Sequence, residues 1–214
     1  MTLRVLHAVH NFPPEFRGGT ERVAEALAVA QAAAGLDVRV LAGSERTAET
    51  ARSEAETWRG VPVTRLVRAH GLKDPIDPFR ADLVPEIEAA LEATRPDVLH
   101  VHHWINLGDD LVRRAARRGI PSVVTLHDFY ATCALFFRLP DASAPCDATQ
   151  GAAACGPCLG GRFGVDRGEI EFRVETRRAA FDAELRAAAA ATVPSEAHRR
   201  ALAPHVPAGV ALRV

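Results

Sequence analysis

The sequence predicts an α/β fold: a doubly wound, mostly parallel, Rossmann-like sheet in a single domain spanning residues 1–214. Two observations carry this. Short β-branched or leucine-rich runs alternate with helical patterns along the whole chain, and polar residues follow the strands directly. Buried parallel strands need helices on both faces, so strand and crossover helix must alternate.

Strands are expected at Leu3–Val9, Asp37–Ala42, Val61–Val67, Asp97–His102, Ser122–Leu126 and Ala190–Val193, with Val210–Val214 as a candidate seventh. Thr20 is positioned to cap a first helix, "ERVAEALAVAQAAA", with Val23, Leu27 and Ala30 as its buried stripe and Gly35 as its left-handed end. A second helix, Phe79–Thr94, repeats Leu83, Ile87 and Leu91 on one face and stops before Pro96. A third runs from Leu107 to Arg118 and ends at Gly119; a long surface helix covers Asp166–Ala190; Ser195 caps a short last one. Residues 43–60 read as a polar loop or short helix, and residues 129–165 as an irregular, cysteine-bearing insertion.

Composition narrows the function. With 26 basic and 27 acidic side chains the net charge is -1, so no global field attracts nucleic acid or an anionic bilayer. No apolar run reaches the roughly 18 residues of a membrane span, and the opening "MTLRVLHAV" lacks the succession of a secretory signal, which predicts a cytoplasmic location. Arg113, Arg114, Arg117 and Arg118 recur at helical spacing. They read as a solvated face, with peripheral membrane contact as the alternative.

Ligands of open parallel sheets bind outside the carboxyl ends of the strands. There the sequence places His10, Asn11 and Gly18-Gly19 after the first strand, and "HVHHW" with His100, His102 and His103 at the fourth. His127-Asp128 follow the fifth, and Ser195-Glu196 the sixth. A single histidine at a strand end is ordinarily structural; polar groups from four strand ends form a crevice. Paired glycine at a strand-to-helix join admits close approach of an anion such as phosphate to the backbone, although this is not the GxGxxG dinucleotide fingerprint.

"PPEFRGGTERVAEALAVAQAAAGLDVRVLA", "PDVLHVHHW", "IPSVVTLHDFYATC" and "AATVPSEAHRRAL", in this order and spacing, resemble the amino-terminal domain of retaining glycosyltransferases of family 4, which have the GT-B architecture. The resemblance covers almost the whole chain. It implies the strand order 3-2-1-4-5-6 and the acceptor-binding half of an enzyme that moves a sugar from a nucleotide-sugar donor to an acceptor hydroxyl. Gly18 and Gly19 would then lie against the donor diphosphate, and His127 would act at the reacting carbon. Asn11, His102, His103, Asp128 and Ser195 would line the acceptor side, whether that acceptor is a carbohydrate, a lipid or a small molecule.

No catalytic metal is implied. The family's second domain carries a pair of glutamates separated by seven residues; no such pair occurs here, so the resemblance implies that the carboxyl-terminal donor domain is absent from this chain and that the fragment alone is inactive. A non-catalytic sugar- or partner-binding module, or an unrelated doubly wound nucleotide-binding protein, are the alternatives.

The four cysteines follow Cys133-x12-Cys146-x8-Cys155-x2-Cys158. Four thiols in one short segment with few large apolar side chains supply a tetrahedral set for a structural zinc, which could order a loop that burial cannot. Free thiols, an iron-sulfur cluster and a disulfide are the alternatives, zinc being preferred over the cluster for lack of any redox role.

Overall fold

The computed structural model describes residues 2–71, 76–139, 146, 151–164 and 166–214. Its strands are β1 (Arg4–Val9), β2 (Asp37–Ala42), β3 (Thr47–Ala48), β4 (Arg52–Trp58), β5 (Val61–Ala69), β6 (Val98–Val101), β7 (Ser122–Thr125), β8 (Ala190–Thr192) and β9 (Leu212–Arg213). Its α-helices are α1 (Gly19–Ala33), α2 (Val84–Thr94), α3 (Leu111–Arg117), α4 (Gly156–Phe163), α5 (Arg167–Ala187) and α6 (Glu196–Leu202).

The principal sheet runs β5-β2-β1-β6-β7-β8-β9, all parallel, with β4 added antiparallel to β5. Numbered by the six expected strands, this order is 3-2-1-4-5-6, and the candidate seventh strand pairs with β8. Side-chain alternation divides the core between two faces. Leu6, Ala8, Leu99, Val101 and Val124 join Leu83, Ile87, Leu91, Phe181 and Leu185 under α2, α3 and α5. Val9, Val38, Val40, Val61 and Val63 join Ala24 and Ala28 under α1.

Several elements depart from expectation. Residues 43–60 form β3 and the edge strand β4 rather than a loop or helix. Every second position of "RSEAETW" is exposed, so no apolar signal marked it. Helix α1 begins at Gly19, with Gly18 rather than Thr20 at the cap, where the Glu21 carboxylate accepts the Gly18 amide at 2.9 Å.

The buried stripe of α1 is also shifted. Glu21, Ala24, Glu25 and Ala28 face inward, while Val23 is 43% exposed. The reason is chemical: Glu25 accepts the Trp58 indole N–H at 2.7 Å, and Glu21 meets His10 at 2.8 Å, so two carboxylates have polar partners on the buried side. The small alanines let the helix approach the sheet closely.

The arginine row is solvated in part: Arg117 and Arg118 are exposed, whereas Arg113 and Arg114 are drawn into ion pairs. Arg114 is buried between Asp110 and Glu88, Arg118 also pairs with Glu88, and Arg113 pairs with Glu184. The insertion is partly regular, since Ala152–Cys155 form a 3-10 turn leading into α4. Residues 140–145, 147–150 and 165 of it lie outside the described residues. No helix among the described residues is long and apolar enough to cross a membrane.

Candidate functional site

The site is built where β1, β6, β7 and β8, adjacent in the sheet, end together. The loop after β1 is fixed from below by Arg65, a fully buried guanidinium on β5 that donates to the carbonyls of Phe12 (3.2 Å) and Pro13 (3.1 Å) and pairs with Glu56 and Glu15. Asn11 is buried and its Oδ1 accepts the Phe12 amide at 2.9 Å, which makes it a shaper of this loop. Gly43 at the end of β2 completes the support: a Cβ there would lie 2.6 Å from the His10 carbonyl oxygen and 2.7 Å from Asn106 Cβ.

The two glycines of the join differ. A Cβ on Gly18 would sit 2.6 Å from Glu21 Oε2, so a side chain there would push the capping carboxylate aside. At Gly19 an added Cβ meets nothing within 4 Å. The carboxylate of Glu21 also occupies the Gly18 amide. The donors left to an incoming anion are therefore those of the following residues, which have no intrahelical partner in a first turn.

Around this loop stand the histidines. The rings of His10 and His103 lie 4.3 Å apart. His103 is buried; its Nδ1 accepts the Ile105 amide at 3.1 Å, so Nε2 carries the hydrogen and faces Asp128 Oδ2 at 3.4 Å. Burial pushes the His103 pKa down to about 4 despite that carboxylate. Burial alone would raise the Asp128 pKa, but the His103 contact and the Tyr130 amide, which donates to Oδ1 at 2.8 Å, hold it below its ordinary value.

His127 Nε2 lies 3.2 Å from His102 Nδ1, and desolvation lowers its pKa against the pull of Asp128. His10 Nδ1 and His198 Nε2 are buried ring nitrogens with no hydrogen-bond partner among the described residues. Such orphaned groups suit a polar ligand. Ser195 lies on the rim, where its hydroxyl caps α6 by accepting the His198 amide at 3.1 Å.

The structure thus brings together His102, His103, His127 and Asp128, with the Gly18-Gly19 loop beside them through Glu21 and His10. Sequence reasoning did not foresee Glu21, His198 or His7. His7 sits inside β1 and reads there as a core position. The alternation of His100 and His102 places them on one face, but only the β1–β6 register, which sets His7 opposite His100, shows that His7 joins them. Ring nitrogens of His7, His100 and His102 lie within 4.8 Å of one another, close enough to hold a metal ion.

The four cysteines come from three segments and line one cavity with Arg138, Leu159 and Arg177. Cys133 closes the turn that starts at Phe129, the Cys146 amide donates to the Arg138 carbonyl at 2.7 Å, and Cys155 and Cys158 flank the first turn of α4. All four are free and partly buried. Burial raises the Cys146 and Cys155 thiol pKa values. Arg177, stacked 4.5 Å from the Tyr130 ring centre and 4.4 Å from that of Phe181, ties α5 to the segment after Asp128.

The profile of the glycosyl transferase 4-like domain matches residues 18–214. Among curated proteins, none matches the chain by sequence. Of solved structures, an alpha,alpha-trehalose-phosphate synthase (UDP-forming) from Burkholderia vietnamiensis superposes with a TM-score of 0.51 at 11% identity over 96% of this chain and 42% of its own. A trehalose 6-phosphate synthase from Burkholderia multivorans gives 0.49 at 11% identity over 95% and 42%, respectively. The catalytic domain of starch synthase IV from Arabidopsis thaliana gives 0.46 at 19% identity over 60% and 34%. The chain thus spans about two fifths or less of these proteins. Its mostly parallel, Rossmann-like sheet is that of the amino-terminal half of a GT-B fold, and the chain belongs to the family of glycosyl transferase 4-like domains.

Proposed function

We propose that the chain is the acceptor-binding half of a retaining glycosyltransferase that moves a sugar from a nucleotide-sugar donor to the hydroxyl of a carbohydrate, lipid or small-molecule acceptor. The observation that carries this is the convergence of His10, His102, His103, His127 and Asp128 from neighbouring strand ends beside the open backbone of Gly19. In this reading the free amides at the start of α1 face the donor diphosphate, while the remaining donor contacts come from a second domain outside these residues. His127 touches the transferring sugar and acceptor. His102, His103 and Asp128 hold that edge of the crevice, with Asn11 shaping its loop and Ser195 its rim. The enzyme acts in the cytoplasm.

In the enzyme that carries this domain, His127→Ala lowers kcat by about 100-fold or more, the range of a lost polar catalytic group, and leaves the donor KM near its original value. Gly19→Val raises the donor KM without loss of stability, since its side chain enters open space. Gly18→Ala lowers thermal stability, because its Cβ displaces the Glu21 carboxylate. Turnover unchanged in both His127→Ala and Gly19→Val removes this assignment, and sugar binding without transfer in the full-length protein favours a binding module.

The cysteine cavity supports a structural zinc held by Cys133, Cys146, Cys155 and Cys158. The set fits chemically: thiolates are the preferred zinc ligands, two come from one helical turn, and four protein ligands leave no open catalytic position. Among the described residues the donor atoms already drawn within 4.8 Å are those of the three histidines, so zinc would have to close the cysteine set. Protein purified without added metal should carry about one equivalent of zinc, with its thiols protected until a chelator or denaturant is added. Metal-free protein with four freely reacting native thiols excludes the site.

A further inference from the structure

Beside α1 the centre of the sheet carries imidazoles where hydrocarbon would be ordinary. His7 on β1 and His100 on β6 are in register, and His102, at the end of β6, stacks on His100 with ring centres 4.1 Å apart. These rings form a continuous chain of contacts. His7 Nε2 lies 2.8 Å from Gln31 Oε1 on α1, His7 Nδ1 lies 3.0 Å from His102 Nε2, and His102 Nδ1 lies 3.2 Å from His127 Nε2.

From this geometry we infer that Gln31, His7 and His102 are positioning residues that fix the tautomer of His127, leaving its Nδ1 a bare hydrogen-bond acceptor. The inference rests on the reading of His127 given above. The logic is one of proton accounting. The Gln31 carbonyl oxygen can only accept, so His7 Nε2 bears the hydrogen and Nδ1 of that neutral ring has none. His102 Nε2 must then donate to it, which leaves His102 Nδ1 bare; His127 Nε2 must donate in turn. One amide oxygen at the start of the chain sets the polarity of all three bonds.

Neutrality of the rings agrees with their surroundings: desolvation lowers the pKa of His7, His102 and His127. His100 stands outside the chain, bonded through Nε2 to Thr125 Oγ1 at 2.8 Å. A metal at His7, His100 and His102 would compete for the nitrogens used here.

The consequence is a selectivity rule. At Nδ1, His127 accepts from a hydroxyl and repels a group that can only accept, such as a phosphate or carboxylate oxygen. A ligand is thereby sorted by its hydrogen-bonding character at a ring whose preference is set on α1, three contacts away.

Nitrogen-detected NMR of the 214-residue chain, labelled with 15N-histidine, tests this near neutral pH without any ligand. His7, His102 and His127 should each show a protonated Nε2 and a bare Nδ1. Gln31→Leu should abolish the single form, with His127 signals moving to an average of two tautomers, and Gln31→Glu, which keeps an accepting oxygen, should restore it. If Gln31→Leu does not fold, the wild-type spectrum alone decides. A protonated Nδ1 on His127, an imidazolium, or displacement of the ring signals by one equivalent of added zinc overturns the inference. His127→Ala retaining turnover would instead overturn the proposed function while leaving the tautomer result standing.

Discussion

Acidification below about pH 6.5 is expected to destabilise the domain steeply, above the range in which carboxylates alone would do so. Five histidines are held neutral by burial: His7, His102 and His127 with lowered pKa values, His103 at about 4 and His100 at about 3. In the unfolded chain each titrates near 6.5. Below that pH the unfolded state binds protons that the folded state refuses, so stability is complete above about pH 6.5 and falls steadily until the folded values are reached.

His100 and His103 each contribute about 1.4 kcal/mol per pH unit and the other three rings act in the same direction, so the slope is at least roughly 3 kcal/mol per unit, against a typical total stability of about 5–15 kcal/mol. Urea unfolding followed by circular dichroism at a series of pH values between 7.5 and 4.5 measures the slope directly. A stability that stays flat over that interval would show that the rings are solvated and the buried cluster does not exist in solution.

Replacing Glu184 by alanine is expected to cost about 3–5 kcal/mol, the range for leaving buried partners of a charged group unsatisfied. Its carboxylate, fully buried on α5, accepts the Trp104 indole N–H at 3.0 Å, the backbone amides of Val112 (2.8 Å) and Arg113 (2.9 Å), and the Arg113 side chain at 3.1 Å. It therefore caps α3 from a different helix, and its removal strands two first-turn amides and an indole in a dry interior. Burial raises its pKa, yet these donors favour the ion. Glu184→Gln should recover part of the loss, because an amide oxygen still accepts from the same donors. A melting temperature unchanged in Glu184→Ala would refute the capping role.

Much of the fold was legible because it depends on local chemistry. Apolar runs at β1, β2, β5, β6, β7 and β8 fall within about a residue or two of their expected places, and Gly35 ends its helix with φ +91°. What stayed hidden depends on partners distant in sequence. Strand β4 is charged, and it is a strand because β5 pairs with it. The inward face of α1 contains carboxylates whose partners, His10 and Trp58, lie elsewhere in the chain. At the site, the strand-end rule located His102, His103, His127 and Asp128. It could not show His7, which needs the β1–β6 register, or Glu21, which needs the loop to fold back on the helix start.

Strand β4 has a consequence for the behaviour of the molecule in crowded solution. A bare sheet edge is a template on which other chains can grow, and long apolar edges lead to fibrils. Here Arg52, Glu54 and Glu56 stand on that margin, with Arg46 bridging to Glu54 at 2.8 Å and Arg52 to the same carboxylate at 2.8 Å. An approaching strand would have to strip water from these ions before making its first backbone bond. The β4 margin of the sheet is thereby guarded against self-recruitment by its own charges.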